Sequence, residues 1–180
     1  ALIGAKVLVG RSNDGLLLID VADPNVPRQV DRLELPGNFH DMESAHGVVY
    51  VANQEGGLMV VTIEGERIRS RQAAGSLKAW RIAVHGRRLV VTSQKGDLAF
   101  YDLDPQGWPQ PIGSLALSQD VRDLELSAEA LFVITAKGQL LEFALDRWPK
   151  PALASQHDLK GRPLRLAMST QANRLVCSLV

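Results

Sequence analysis

The sequence is poor in the groups that build covalent or metal chemistry. Cys177 is its only cysteine among 180 residues, which excludes an internal disulfide and a cysteine-built zinc site. Within Leu175-Val176-Cys177-Ser178-Leu179-Val180, that thiol is expected as a buried strand residue. The formal net charge is zero, so no general attraction draws the chain to nucleic acid or to an anionic membrane. No apolar run approaches the ~20 residues that span a bilayer, so no transmembrane segment is expected. Helical periodicity is absent too, because no window sustains apolar residues at i, i+3, i+4, i+7. There is no signal peptide, and the first residue is Ala1 rather than Met, as expected of a mature product or of a segment of a longer protein.

What the sequence does have is a repeat. Gly15-Leu16-Leu17-Leu18-Ile19-Asp20-Val21-Ala22-Asp23-Pro24 is a short apolar run entered through a glycine and left through an Asp-Pro turn. It returns as Gly57-Leu58-Met59-Val60-Val61, as Asp97-Leu98-Ala99-Phe100-Tyr101 and as Gln139-Leu140-Leu141-Glu142-Phe143. The leading leucines, Leu16, Leu58, Leu98 and Leu140, step by 42, 40 and 42 residues. A period of that size marks a stacked supersecondary unit. Each unit holds four short β-branched runs parted by turns such as His46-Gly47, His85-Gly86 and Gln94-Lys95-Gly96, which read as antiparallel strands. The two middle runs are almost continuously apolar, as required when both faces of a sheet are covered.

The fourth run is polar. Arg67, Arg69 and Arg71 alternate along one face of it and blunt an outer edge. With no aromatic residues interleaved, they do not read as a nucleic-acid stripe. The expected fold class is all-β: a β-propeller of four-stranded blades of about 40–42 residues, in a single domain spanning 1–180. The strand order predicts a start at a second strand near Lys6-Val7-Leu8-Val9, then three whole blades and two final strands. That describes an arc or fragment of a larger propeller. The alternative is a four-bladed ring in which Leu164 to Met168 completes the first blade.

The first unit, with its Leu-Leu-Leu-Ile-Asp-Val-Ala-Asp-Pro run, and Val48-Val49-Tyr50-Val51-Ala52 resemble the LVIVD-repeat family of bacterial and archaeal β-propellers. The likeness extends to Asp102-Leu103-Asp104-Pro105 and fades where Thr62-Ile63-Glu64-Gly65 replaces the Asp-Pro turn and where Ala144 stands at the Asp20 position. The resemblance implies a propeller used as an interaction scaffold, often outside the cytoplasm, without a common catalytic set.

Candidate chemistry is sparse. His40-Asp41-Met42-Glu43-Ser44-Ala45-His46 is the densest polar cluster. Adjacent strand residues face opposite ways and His46 falls in a turn, so no metal site is expected there. No nucleophile-elbow glycine pattern and no phosphate-cradling loop occurs, and no cofactor is expected. Trp108-Pro109 and Trp148-Pro149 are expected as lids over blade ends. One position before Met42, Ile82, Leu124 and Leu166 on the innermost strands stand Asp41, Arg81, Asp123 and Arg165, alternating in sign. The residue before that is His40, Trp80, Arg122 or Leu164. The pattern reads as a belt of interblade ion pairs or as an axial binding funnel.

The leading functional expectation is a non-catalytic protein-binding scaffold, part of a larger chain or assembly, with self-association through open blade faces as one outcome. The competing expectation is a small-ligand-binding or enzymatic propeller using the funnel around His40, Trp80, Arg122 and Asp123.

Overall fold

The computed structural model describes residues 1–11, 14–75, 77–169 and 174–179; Val180, read above as part of the last strand, lies outside them. The described residues form five antiparallel sheets in sequence order. The first holds β1 (Leu2–Ile3), β2 (Lys6–Arg11), β3 (Gly15–Asp20) and β4 (Arg28–Leu33). The second holds β5 (Phe39–Ala45), β6 (Val48–Asn53), β7 (Gly57–Glu64) and β8 (Arg67–Gln72). The third holds β9 (Arg81–His85), β10 (Arg88–Thr92), β11 (Asp97–Leu103) and β12 (Pro109–Ala116). The fourth holds β13 (Val121–Leu126), β14 (Ala130–Thr135), β15 (Gln139–Ala144) and β16 (Ala152–Asp158). The last pairs β17 (Pro163–Ser169) with β18 (Arg174–Leu179). Each four-stranded sheet is a meander, every strand bonded to its neighbour in the chain.

One expectation needs correcting. The chain does not open at a second strand, because Leu2 and Ile3 pair with Val7 and Lys6 as a short innermost strand. Four sheets are therefore four-stranded, not three. That strand also occupies the place Leu164 to Met168 would need in a four-bladed ring. Those residues instead pair with β18 in a sheet of their own.

The continuous apolar runs now have a cause. In β10, Leu89 and Val91 enter a core shared with the second sheet, while Val90 enters one shared with the fourth. In β6, Tyr50 and Ala52 turn towards the third sheet, and Val49 and Val51 towards the first. Alternation at period two thus feeds two separate cores, each lying between adjacent blades. The outer strand β8 buries Ile68 and exposes its three arginines, all of them engaged: Arg67 with Asp31, Arg69 with Glu64, and Arg71 over the Trp108 ring. Cys177 is half-buried on β18, not buried as its sequence context suggests.

Glycine begins the third strand, or stands just before it, in each four-stranded unit. Gly15, Gly57, Gly96 and Gly138 all have positive φ, a region where a Cβ is costly. At Gly96 a Cβ would also collide with the carbonyl oxygen of Gln119. Gly86, at φ 57 in the β9–β10 hairpin, has open space around it. Gly86→Ala should therefore cost about 1 kcal/mol, and Gly96→Ala on the order of 3 kcal/mol. Equal midpoint shifts in urea unfolding would show that the close approach at Gly96 is unimportant.

Candidate functional site

The innermost strands β5, β9, β13 and β17 pack against one another in order around the axis. Three of them are bulged just before the charged position: between Phe39 and Asp41, between Val121 and Asp123, and between Pro163 and Arg165. The extra residues are His40, Arg122 and Leu164. A bulge bends its strand and re-aims the following side chain, and here that side chain is the axial one. β9 begins at Arg81 itself, with the amide of Trp80 continuing the ladder to the Thr92 carbonyl at 2.7 Å.

The acidic members act as staples between blades. Asp41 Oδ2 accepts the amide N–H of Ile82 at 3.0 Å, and Asp123 Oδ2 accepts that of Leu166 at 2.8 Å. Each carboxylate thus holds the backbone of the next blade's innermost strand. The first two blades are stapled in the same way at the rim, where Asp31 Oδ2 takes the Ile68 amide at 2.7 Å.

Arg81 bridges three blades. Its Nη1 donates to the His40 carbonyl at 2.8 Å, its Nε donates to the Arg122 carbonyl at 3.0 Å, and Nε lies 3.4 Å from Asp123 Oδ1. The side chains of Arg81 and Asp123 are only 11% and 8% exposed. Arg165 reaches the same carboxylate oxygen at 3.6 Å but stays 55% exposed. The expected pairing holds for these two contacts. Asp41 and Arg81 form no direct ion pair, because the Asp41 carboxylate is taken by the backbone of Ile82 and Met42.

Burial shapes the electrostatics. It lowers the Arg81 guanidinium below its usual value, with Arg165 adding repulsion and the aspartates opposing. It raises the Asp123 carboxyl against the pull of the Leu166 amide and both arginines. Both partners are shifted against their charged forms, so desolvation outweighs the attraction between them.

Sequence reasoning weighed Glu43 only within the His40–His46 cluster and missed Glu125; the two stand two residues beyond Asp41 and Asp123 and so share their strand face. Partial desolvation raises both, and at Glu43 the neighbouring Asp41 and Asp123 carboxylates add to the rise. Glu125 reaches about 7, pushed up by burial and then by Glu43, Asp123 and Asp41. Reading one more same-face position along each innermost strand would have found them, as Glu43, Ala83, Glu125 and Ala167.

The remaining sequence candidates sit at the edge of this belt. The His40 ring lies 4.1 Å from that of Trp80, and His40 Nε2 is 3.1 Å from Gln54 Oε1. The Arg81 guanidinium lies 4.8 Å from the Trp80 ring centroid. Among the described residues, Trp80 Nε1 is buried without an acceptor. Arg122 offers its carbonyl to Arg81, and its side chain lines a small cleft with Arg162 and Leu164. His46 Nε2 lies 2.7 Å from the Gly86 carbonyl of the next blade. No three His, Cys, Asp or Glu side chains group for a metal among the described residues.

The tryptophans depart from expectation, because they reach back to the preceding blade and do not cap their own. Trp148 stacks edge-on against Phe100 and donates Nε1–H to Asp102 at 3.1 Å. Trp108 packs in the core between the second and third blades. Beside that core, the β8–β9 connection and the outer strands of the third blade enclose a cleft of about 690 Å³. Leu77, Trp80, Tyr101, Pro111 and Leu115 give it apolar walls, with Lys78 and Lys95 also lining it.

Four-stranded meanders packed in sequence order, inner strand to inner strand, define the architecture. The chain has the β-propeller fold. Solved propeller structures align with nearly all of it at 14% identity, which shows the fold alone. The computationally designed Ika8 protein matches at a TM-score of 0.75 over 99% of this chain and 54% of its own. A Lactobacillus plantarum protein matches at 0.71 over 97% and 66%. BamB from Moraxella catarrhalis matches at 0.68 over 99% and 53%. The chain thus spans between half and two thirds of the propellers it matches. No family model and no curated protein matches it. No helix among the described residues is long and apolar enough to cross a membrane.

Arg81→Ala should cost on the order of 3 kcal/mol, since it strips a buried carboxylate and two carbonyls of their donor. Arg165→Ala should cost about 0–1 kcal/mol, because that pair is wet; comparable losses in urea titrations would contradict the geometry. Glu125 titrates near 7 when folded and near the usual ~4.3 when unfolded, so between those values the folded state binds the extra proton. Its contribution is therefore fully present below about pH 4 and lost as pH rises through 7. Glu125→Gln should flatten the fall in melting temperature between about pH 4 and pH 7, and an unchanged profile would place that proton elsewhere.

Proposed function

We propose that this propeller is a non-catalytic protein-binding scaffold within a larger chain or assembly. The observation that carries this reading is where the belt's charges go. Asp41, Arg81 and Asp123 are each committed to a backbone or an ion pair of a neighbouring blade. Groups held in that way fix blade order and are poorly placed to turn over a substrate. Recognition then falls to the loops, and the end of the disc carrying the cleft offers the best surface. Charged residues Glu55, Lys78 and Lys95 rim an apolar hollow that suits an inserted side chain of a partner. A location outside the cytoplasm belongs to the same proposal and rests on the LVIVD-type motifs of the first and third units.

The cleft also supports a second reading. Its size lies within the usual range for small-molecule sites, roughly 300–1,000 Å³. A small ligand would then sit beside Trp80, next to the axial belt and not within it.

Native mass spectrometry of the purified chain separates the two readings. The scaffold reading expects the bare polypeptide mass, together with a cross-linked protein partner that Ser114→Arg, which fills the cleft, displaces. A stoichiometric small molecule or metal that Ser114→Arg removes would favour the second reading.

A further inference from the structure

The turn between a blade's second and third strands meets the connection into the following blade. At the third blade the Leu117 amide donates to the Gly96 carbonyl at 2.9 Å, and at the fourth the Leu159 amide donates to the Gly138 carbonyl at 2.7 Å. The two junctions are thus built in one frame. Three residues before the leading leucine, the turns of blades two to four carry Glu55, Lys95 and Lys137. Three residues before the axial charge, the connections that meet them carry Lys78, Asp120 and Arg162. At the first two junctions these positions form an ion pair, Lys78 with Glu55 at 2.8 Å and Lys95 with Asp120 at 3.4 Å. At the third, both are cations.

A further arginine joins them. Arg122 and Arg162 line one cleft of about 280 Å³, walled by Ala136, Pro163 and Leu164. Among the described residues, no hydrogen bond or ion pair engages the side chains of Arg122, Lys137 or Arg162. The acids of this region are taken: Asp120 by Lys95, Asp158 by Gln139, and Asp123 by Arg81 and Arg165. Exposure is normal for the connection. Lys78 and Asp120 are 66% and 43% exposed although a four-stranded blade follows each.

We propose that this cleft is an oxyanion site, where the Arg122 and Arg162 guanidinium groups, with Lys137 adding charge, take one carboxylate or phosphate group. Like charges in open water repel weakly, since salt screens them over about 10 Å, and by themselves they would make a solvated face. The apolar walls alter that, because they exclude water on one side and focus the field of the cations. A guanidinium fork also matches two oxygens of a carboxylate or phosphate. The volume lies below the roughly 300 Å³ at which small-molecule sites begin, so it suits a single anionic group and not a whole cofactor. That group belongs either to a small free anion or to an acidic side chain of a protein partner. The site shares no lining residue with the larger cleft, so its failure would leave the scaffold reading standing.

Amide NMR spectra of the full chain, titrated with inorganic phosphate against chloride at constant ionic strength, test the site. Saturable shifts are expected at Ala136, Lys137, Gly161, Arg162 and Leu164. Arg162→Asp places a carboxylate where Asp120 stands at the preceding junction, and should weaken phosphate binding at least tenfold with the other resonances unmoved. Arg122→Gln should weaken it to a similar degree. The same titration with a tetraglutamate peptide separates the sources. Saturation by the peptide at a tenfold lower concentration than phosphate would identify an acidic protein segment, and the reverse order a free phosphate. Shifts that rise linearly with both probes, or that saturate equally well in Arg162→Asp, would overturn the site.

Discussion

A propeller must hold together sheets that share no backbone ladder, and here an aspartate does that across three of the blade junctions. Asp31, Asp41 and Asp123 each accept a backbone amide from the following blade. A carboxylate bonded to an amide fixes position as well as distance, because the amide belongs to a strand whose register is already set. Oily faces alone allow adjacent sheets to slide. With the staples in place, Val90, Val91 and their counterparts interdigitate in one arrangement only.

The third blade departs from this scheme and compensates. It carries arginine at the axial position and so has no acceptor to offer its neighbour. Arg81 instead donates in both directions, to the carbonyls of His40 and Arg122. The junctions at its two sides are therefore held by one guanidinium plus the Asp41 staple. Placing that charge among apolar strands is unfavourable by itself, as the opposed shifts of Arg81 and Asp123 record. Its contribution is specificity of blade order.

Much of the fold was legible because it is local. The leucine period, the glycine before each marker strand and the Asp-Pro and His-Gly turns are signals within a few residues of one another. β1 escaped detection because two residues cannot show a period. The tryptophans were misplaced because their partners, Phe100 and Asp102 for Trp148, lie a full repeat upstream. At the axis, aligning the four units revealed Asp41, Arg81, Asp123 and Arg165, but not that two of them would bond backbone amides. A bulge is invisible in a pattern of residue types, and so was the re-aiming of the side chain after His40 or Arg122. Glu43 and Glu125 were within reach of the same alignment carried two residues further.

The reach of the staples has a bearing on how such a chain is made. Asp41 to Ile82 spans 41 residues and Asp123 to Leu166 spans 43, which is one repeat. No staple waits for a distant part of the sequence. During synthesis, the Asp41 and Asp123 staples can close as soon as the next innermost strand leaves the ribosome, and the Asp31 staple once β8 has followed, so ordering can proceed behind the growing end. Loop-closure entropy is then a fixed cost per blade and does not grow with ring size. Repeats can be gained or lost in such a lineage without rewriting the route by which the remaining ones fold.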